Sequence, residues 1–439
     1  MPSLSPHSGS RPYTQAEPRV GWLFVDLNSY FASVEQQLCP ELRNRPVAVV
    51  PVMAETTCAI AASYEAKAFG IKTGTQVAEA RRLCPEIVFV EARHEVYVEY
   101  HKRIVAAVEQ CVPVAAVCSI DEMACRLLGR EQSLGQALEL ARRVKAAIRQ
   151  YAGDTLRCSV GLAPNRYLAK VASDMEKPDG LVALTPDLLD AALRRLALRD
   201  LPGIGARMER RLHAVGIRSM EELLALDREG MRKAWGSVSG EKLWYWLRGE
   251  DFSEAEAEHQ KSISQSHVLA PELRTVEGSY AVAHKLLHKA ATRLRSARMW
   301  TTHLSLAIKF VAPKDGPHGR HYSGIPQFNW AQGRAMVECQ DHQTLIETLR
   351  LLWSARPIGP RYAKPFYVGV WLGNLVPDSL HTLSLFGATE EESRRTELTS
   401  TIDRVNQKYG LDMLASASAL AAKAAAPTRI AFTRIPDLF

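Results

Sequence analysis

The run Gly21-Trp-Leu-Phe-Val-Asp26 is apolar up to its last residue, the pattern of a buried strand that ends on an acid. The spacing then changes. Tyr30, Phe31, Val34 and Leu38 recur at helical intervals, so a strand from Val20 to Asp26 is followed by a helix from Ser29 to Leu38. Pro46 to Val52 and Thr57 to Ala62 predict two more strands, and Tyr64 to Gly74 a short helix closed by glycine. Tyr97 to Cys111 is amphipathic at helical spacing, Val112 to Leu128 predicts two strands about a turn at Asp121-Glu122, Leu134 to Tyr151 a helix, and Leu156 to Leu162 a strand. Strand, small inserted region, helix, hairpin, helix and strand predict an antiparallel-containing α+β sheet with helices on one face, a ferredoxin-like arrangement. The first strand and the hairpin are then neighbours, and Asp26 and Asp121-Glu122 converge at one sheet edge.

From Leu189 to Gly249 the pattern is helical throughout, interrupted most sharply at Leu201-Pro-Gly-Ile-Gly205. Asp251 to Gln260 is acidic and predicts a linker. Beyond it the order strand (Ser262 to Leu269), helix (Val276 to Ala297), strands (Thr302 to Val311 and His321 to Ile325), helix (His342 to Trp353) and strand (Pro365 to Leu372) predicts a second small α+β domain.

Composition narrows the class. A chain of 439 residues exceeds one ordinary core, and 46% hydrophobic with 23% charged residues excludes a disordered or membrane-embedded chain. The net charge of +7 and the pI near 8.9 are modest, but they are not spread evenly. Residues 261–375 hold 15 Lys and Arg against 6 Asp and Glu, a concentrated basic module of the kind that meets a polyanion; a solvated charged face is the plainer reading. The eight cysteines form no CxxC pair and predict free thiols in a reducing compartment. Met1 to Arg19 lacks the apolar run of a secretory signal and reads as a disordered tail, and the Ala-rich stretch from Leu414 to Pro427 is too short to span a bilayer. No membrane insertion and a cytoplasmic location are the expectation.

Asp26, Asp121 and Glu122 are acids at the ends of apolar strands, where a divalent cation would compensate them; a helix cap or a hairpin marker would use the same residues. Six strings in order bear on the choice: Val25-Asp-Leu-Asn-Ser-Tyr-Phe-Ala-Ser-Val-Glu35, Tyr64-Glu-Ala-Lys-Ala-Phe-Gly-Ile-Lys-Thr-Gly74, Ser119-Ile-Asp-Glu122, Ser159-Val-Gly-Leu-Ala-Pro-Asn165, Ala172-Ser-Asp-Met-Glu-Lys-Pro178 and Leu201-Pro-Gly-Ile-Gly205. Together, from about Gly21 to Leu375, they resemble a Y-family, DinB/UmuC-like translesion DNA polymerase. The resemblance implies a right-hand polymerase with a ferredoxin-like palm (20–28 and 95–185), small fingers (29–94), a helical thumb with a helix-hairpin-helix (186–252), a linker (253–260), an α+β little finger (261–375) and a C-terminal tail (376–439).

It implies roles as well. Asp26, Asp121 and Glu122 would be the catalytic carboxylates and, with the Leu27 carbonyl, would hold two Mg²⁺ ions for which Mn²⁺ can substitute. Phe31 would be the steric gate against a ribose 2'-hydroxyl, with Tyr30 supporting the sugar. Tyr64, Lys67 and Lys177 would contact the incoming deoxynucleoside triphosphate. Two positions depart from the commonest DinB-like pattern: Lys67 replaces a frequent arginine and Asn28 a frequent aspartate. Gly203, Ile204 and Gly205 would hold a DNA phosphate through backbone N–H groups, and Arg293, Arg295, Arg298 and Lys309 would add contacts to primer-template DNA. Thr382-Leu-Ser-Leu-Phe386 resembles a sliding-clamp peptide with Leu383, Leu385 and Phe386 as anchors, and Pro436 to Phe439 is a second apolar end of that kind. A monomeric, template-directed polymerase of low fidelity follows; the alternative is a non-catalytic scaffold that binds DNA and the clamp.

Overall fold

Alternation along the first strand decides the architecture. In β1 (Trp22–Leu27), Leu23, Val25 and Leu27 enter one core, and Phe24 enters another, so the strand is covered on both faces. The computed structural model describes residues 18–53, 55, 57–252, 261–311, 320–322, 325–359, 362, 364–382, 389–410, 413–414, 417, 422 and 430. It parts at residue 253 into two compact units, with Ile430 returning to the first.

After β1 comes α1 (Tyr30–Leu38), then a small module of β2 (Val47–Val50), β3 (Ala61–Ala62), α2 (Tyr64–Lys67), α3 (Val77–Leu83) and β4 (Val88–Glu91). Its sheet order is β3-β2-β4, with β4 parallel to β2. The helix expected over Tyr64 to Gly74 is a single turn, because Gly70 turns to a φ of 82°. The chain returns through α4 (His94–Glu109), the hairpin β5 (Ala116–Val117) and β6 (Glu122–Arg126), α5 (Leu134–Ala152), β7 (Cys158–Ala163), α6 (Arg166–Met175) and β8 (Leu181–Ala183). The sheet runs β5-β6-β1-β7-β8 with β1 central and antiparallel to both neighbours, the ferredoxin-like order with β8 added. The two expected helices lie on one face, and a third that the pattern did not predict covers the other. Residues of α4 and α5 share the Leu23 core, whereas Leu168, Ala169, Val171 and Ala172 of α6 share the Phe24 core. Gly161 permits this second packing, since a Cβ there would lie 2.0 Å from the Ala169 carbonyl oxygen.

The helical stretch resolves into α7 (Leu189–Leu193), α8 (Ala206–Ala214), α9 (Met220–Leu224), α10 (Arg228–Trp235) and α11 (Val238–Trp246), broken by caps such as Ser219, Asp227 and Gly236.

The second unit holds β9 (Ser262–Val268), α12 (Val276–Ser296), β10 (Met299–Val311), β11 (Arg320–Tyr322), β12 (Ile325–Cys339), α13 (His342–Ser354), β13 (Pro365–Pro377) and α14 (Thr389–Tyr409). Its antiparallel sheet has the order β11-β12-β10-β13-β9. A strand expected to end at Ile325 is thus two strands, the second of 15 residues. The clamp-peptide positions Leu383, Leu385 and Phe386, and the terminal Pro436 to Phe439, lie outside the described residues.

Candidate active site

The antiparallel register places Asp26 opposite Glu122 on one side and Ser159 on the other. Asp121 joins them because its carbonyl accepts from the Leu27 N–H at 2.8 Å, which carries the ladder one residue before the start of β6. Asp26 follows Phe24 at strand period two and is 4% exposed, on the face that α6 covers. Its partner there is a residue that the sequence did not single out. Lys170 Nζ bonds Asp26, lies 2.7 Å from Glu122 Oε1 and 3.1 Å from Asp174 Oδ1. Lys177 adds a second ammonium, 2.8 Å from Asp26 Oδ2 and 2.7 Å from Asp174 Oδ1. The signal for Lys170 was its i,i+4 spacing to Asp174 inside the motif-bearing helix, which becomes legible only once α6 is known to face Asp26.

Charge explains the arrangement. Burial pulls both ammoniums down, but Asp26, Asp174 and, for Lys170, Glu122 outweigh it, so each is held above the ordinary lysine range. Asp121 moves the other way for an acid: burial raises its carboxyl, the Ser119 hydroxyl opposes this, and Asp26 and Glu122 raise it further. Those last contributions mean that three carboxylate fields converge on one locus. Among the described residues no three His, Cys, Asp or Glu groups are gathered tightly enough to hold an ion on their own. The donors are nevertheless hard oxygens, and positive charge from Lys170 and Lys177 already sits where they converge, which fits a divalent cation.

The other expected contacts divide. Phe31 stacks on Tyr97 with centroids 4.5 Å apart and 18° between planes, and meets the edge of His94 at 6.4 Å. Tyr97 is held in turn by Glu35, which accepts its hydroxyl at 2.7 Å and is paired to Arg93. Tyr30 is 3% exposed, and its hydroxyl donates to the Tyr97 carbonyl at 2.6 Å, which braces α1 against α4. Lys67 Nζ lies 4.1 Å over the Tyr64 ring. Its ammonium is held below the ordinary range, first by low-polarity surroundings and then by Lys177, while burial raises the Tyr64 phenol against the pull of Lys177. Tyr64, Lys67 and Lys177 therefore share one field. Asn28 does not stand in for a fourth carboxylate: its Oδ1 accepts from the Asp179 N–H at 2.7 Å, and its Nδ2 donates to Ser159 Oγ at 3.1 Å.

At Leu201–Gly205, Leu201 and Ile204 are buried anchors, and Gly203 takes a φ of 91°. A Cβ on Gly205 would meet nothing within 4 Å, so the fold itself does not require glycine there. The hairpin, Lys170 and Asp174 line a cleft of about 340 Å³. In the second unit Arg298 is exposed, Lys309 Nζ lies 4.5 Å over the Tyr367 ring, and Arg293 donates to the Ser264 carbonyl. The Arg295 guanidinium grips Asp403 at 2.5 and 2.8 Å and the Gln340 carbonyl at 2.8 Å, fastening α12 to α14. All eight cysteines are free thiols, and no helix among the described residues is long and apolar enough to cross a membrane.

Comparison with known proteins agrees with this geometry. Residues 25–174 match the model of the impB/mucB/samB family, 199–251 that of the DNA polymerase-iota thumb domain, and 260–385 that of the impB/mucB/samB C-terminal domain. DNA polymerase IV of Moorella thermoacetica is 34% identical over 399 residues, covering 88% of this chain and 93% of its own. That of Pelotomaculum thermopropionicum is 30% identical over 398 residues, covering 88% and 92%. Among solved structures, a Y-family polymerase chimera of Dbh and Dpo4 superposes with a TM-score of 0.65 at 23% identity, and DinB from Sulfolobus solfataricus with 0.52 at 24%. Each covers 81% of this chain and 99% of its own, and at that identity the likeness speaks for the fold. The chain belongs to the DinB/UmuC-like Y family of DNA polymerases and is, with them, a DNA-directed nucleotidyltransferase.

Proposed function

We propose that this polymerase adds deoxynucleotides to a primer 3'-end by two-metal-ion transfer and accepts damaged templates. The observation that carries the reading is the in-register pairing of Asp26 with Glu122, with Asp121 adjacent, beneath the ammoniums of α6 and the turn that follows it. Asp26, Asp121, Glu122 and the Leu27 carbonyl are the groups that would hold the ions. Bound Mg²⁺, or Mn²⁺ in its place, lowers the pKa of the primer hydroxyl and neutralises the triphosphate.

The chain's own groups do the rest. Lys170 pairs with Asp26 and Glu122, and Lys177 with Asp26, so the buried acids are compensated by positive charge before any ion arrives. Tyr64, Lys67 and Lys177 bind the triphosphate, with Lys67 acting as a point charge rather than a bidentate fork. Phe31, backed by Tyr97, excludes a 2'-hydroxyl. The Gly203–Gly205 backbone takes a DNA phosphate, Arg298 and Lys309 add others, and the segment after Thr382 docks on a sliding clamp. Tolerance of damaged templates at the cost of fidelity is part of this reading, and the smallness of the three-stranded module between α1 and α4 supports it.

Primer extension with Mg²⁺ tests the reading. Wild-type protein extends a primer, and Asp121→Asn lowers the rate at least about 1,000-fold. A wild type that extends nothing would make the chain a DNA-binding scaffold, and an Asp121→Asn variant of full activity would remove Asp121 from the chemistry.

A further inference from the structure

Lys177 does not sit on a regular element. α6 ends at Met175, and the chain turns through residues 176–180 into β8, with Asp179 at a φ of 60°. Lys177 Nζ is met by Asp26 and Asp174, but how far its backbone carries it toward a ligand depends on how the turn is fixed. It is fixed from outside. Asn28 holds the Asp179 N–H, and Ser159 Oγ accepts from the Gly180 N–H at 3.3 Å. The main fastening comes from Lys145 on α5, a residue distant in sequence from every motif. Its Nζ donates to the carbonyls of Cys158 at 2.8 Å, Asp179 at 2.7 Å and Gly180 at 3.1 Å. Those three bonds use all three ammonium protons, so Asp179 Oδ1, 2.7 Å away, is met as charge rather than as a further hydrogen bond. Arg149, one helical turn on, pairs with Asp179 Oδ2 at 2.5 Å.

The Lys145 side chain is 14% exposed. No neutral side chain could supply three donors there; without them the Cys158 and Asp179 carbonyls would lose their ammonium donor in a part-buried place, while the Gly180 carbonyl would keep the Val160 N–H at 3.0 Å. We propose that Lys145 is a positioning residue for nucleotide binding: by tying Asp179 and Gly180 to α5 and β7, it sets the reach of Lys177 toward the incoming triphosphate. The inference rests on the assignment of Lys177 to that triphosphate. It implies that Lys145 touches no substrate and acts only through the turn.

Single-turnover primer extension by the full-length protein tests it, with Lys145→Met, Lys145→Arg, Lys177→Ala and the Lys145→Met, Lys177→Ala pair. Lys145→Met is expected to raise the half-saturating deoxynucleotide concentration about tenfold while the maximal rate stays within about threefold, and Lys145→Arg to recover most of the loss. The double variant should bind nucleotide no worse than Lys177→Ala alone, because the turn then has nothing left to position. Hydrogen exchange at the Asp179 and Gly180 amides should quicken in Lys145→Met, a readout independent of turnover. Unchanged nucleotide affinity in Lys145→Met, a loss confined to the maximal rate, or losses that multiply in the double variant would overturn the proposal. Unchanged affinity in Lys177→Ala would instead remove the assignment beneath it, and the proposal with it. If Lys145→Met does not fold, Asn28→Ala cuts another tie to the same turn and must show the same affinity-only signature.

Discussion

Phe31 shows how much a single side chain depends on its support. Its ring is half-buried and lies flat on Tyr97, which Glu35 and Arg93 hold in turn, so it cannot yield cheaply to an extra hydroxyl. Phe31→Ala should therefore raise ribonucleotide incorporation relative to deoxynucleotide at least about tenfold in competition assays. An unchanged ratio would remove Phe31 from sugar selection. Its neighbour Tyr30 meets the same residue differently: Phe31 lies on the Tyr97 ring, whereas the Tyr30 hydroxyl donates to the Tyr97 carbonyl.

At the scale of elements, the hairpin separates two kinds of glycine. Gly203 needs its positive φ, so Gly203→Ala should cost about 1–2 kcal/mol of stability. Gly205 is at a φ of −85° with open space beside it, so Gly205→Ala should cost only the poorer helix cap, at most about 1 kcal/mol. If the hairpin backbone holds a DNA phosphate as proposed, the added methyl should weaken primer-template binding about tenfold; equal affinity would mean that the hairpin only packs. The start of α13 carries a different liability. His342 is buried with its ring 4.1 Å from that of His288, and neither of its nitrogens finds a hydrogen-bond partner among the described residues. Burial, with help from the charges of His288 and Arg295, pushes it down to about 2. The unfolded chain therefore takes up this proton first. Stability from the neutral ring is complete above the ordinary histidine value of 6.5 and falls below it, by about 1.4 kcal/mol per pH unit for one proton. Urea melts from pH 7 to 5 should show that slope in wild type and about one proton less in His342→Leu.

For the whole molecule, the basic excess of residues 261–375 predicts DNA binding that weakens steeply with salt. The fold says which charges count. Arg298→Gln should reduce the slope of log affinity against log salt by about one, since Arg298 is exposed. Arg295→Gln should leave that slope alone and lower stability instead, since it breaks the pair with Asp403. A reversed outcome would mean that the pairing with α14 gives way when DNA binds.

Periodicity was enough for β1, α1, α5, β7 and the order that makes the sheet ferredoxin-like, because those elements bury a face and so write it into the chain. It was not enough for most of β12, whose residues 331–335 are exposed and which is held by backbone pairing to β10, a bond that leaves no mark on residue type. The sequence by itself also determined the three carboxylates and the six motifs that carry the family. Only the tertiary structure decided that α6 covers the Asp26 face, and with that Lys170's place among the acids. The same holds for Asn28 and Lys145 on the turn of Lys177, for the Tyr30 hydroxyl on the Tyr97 carbonyl, and for the pairing of Arg295 with Asp403. The physical reason is common to all: a strand or helix fixes its own periodicity locally, but what a polar side chain does depends on which distant charge or carbonyl the packing of other elements brings within about 3 Å.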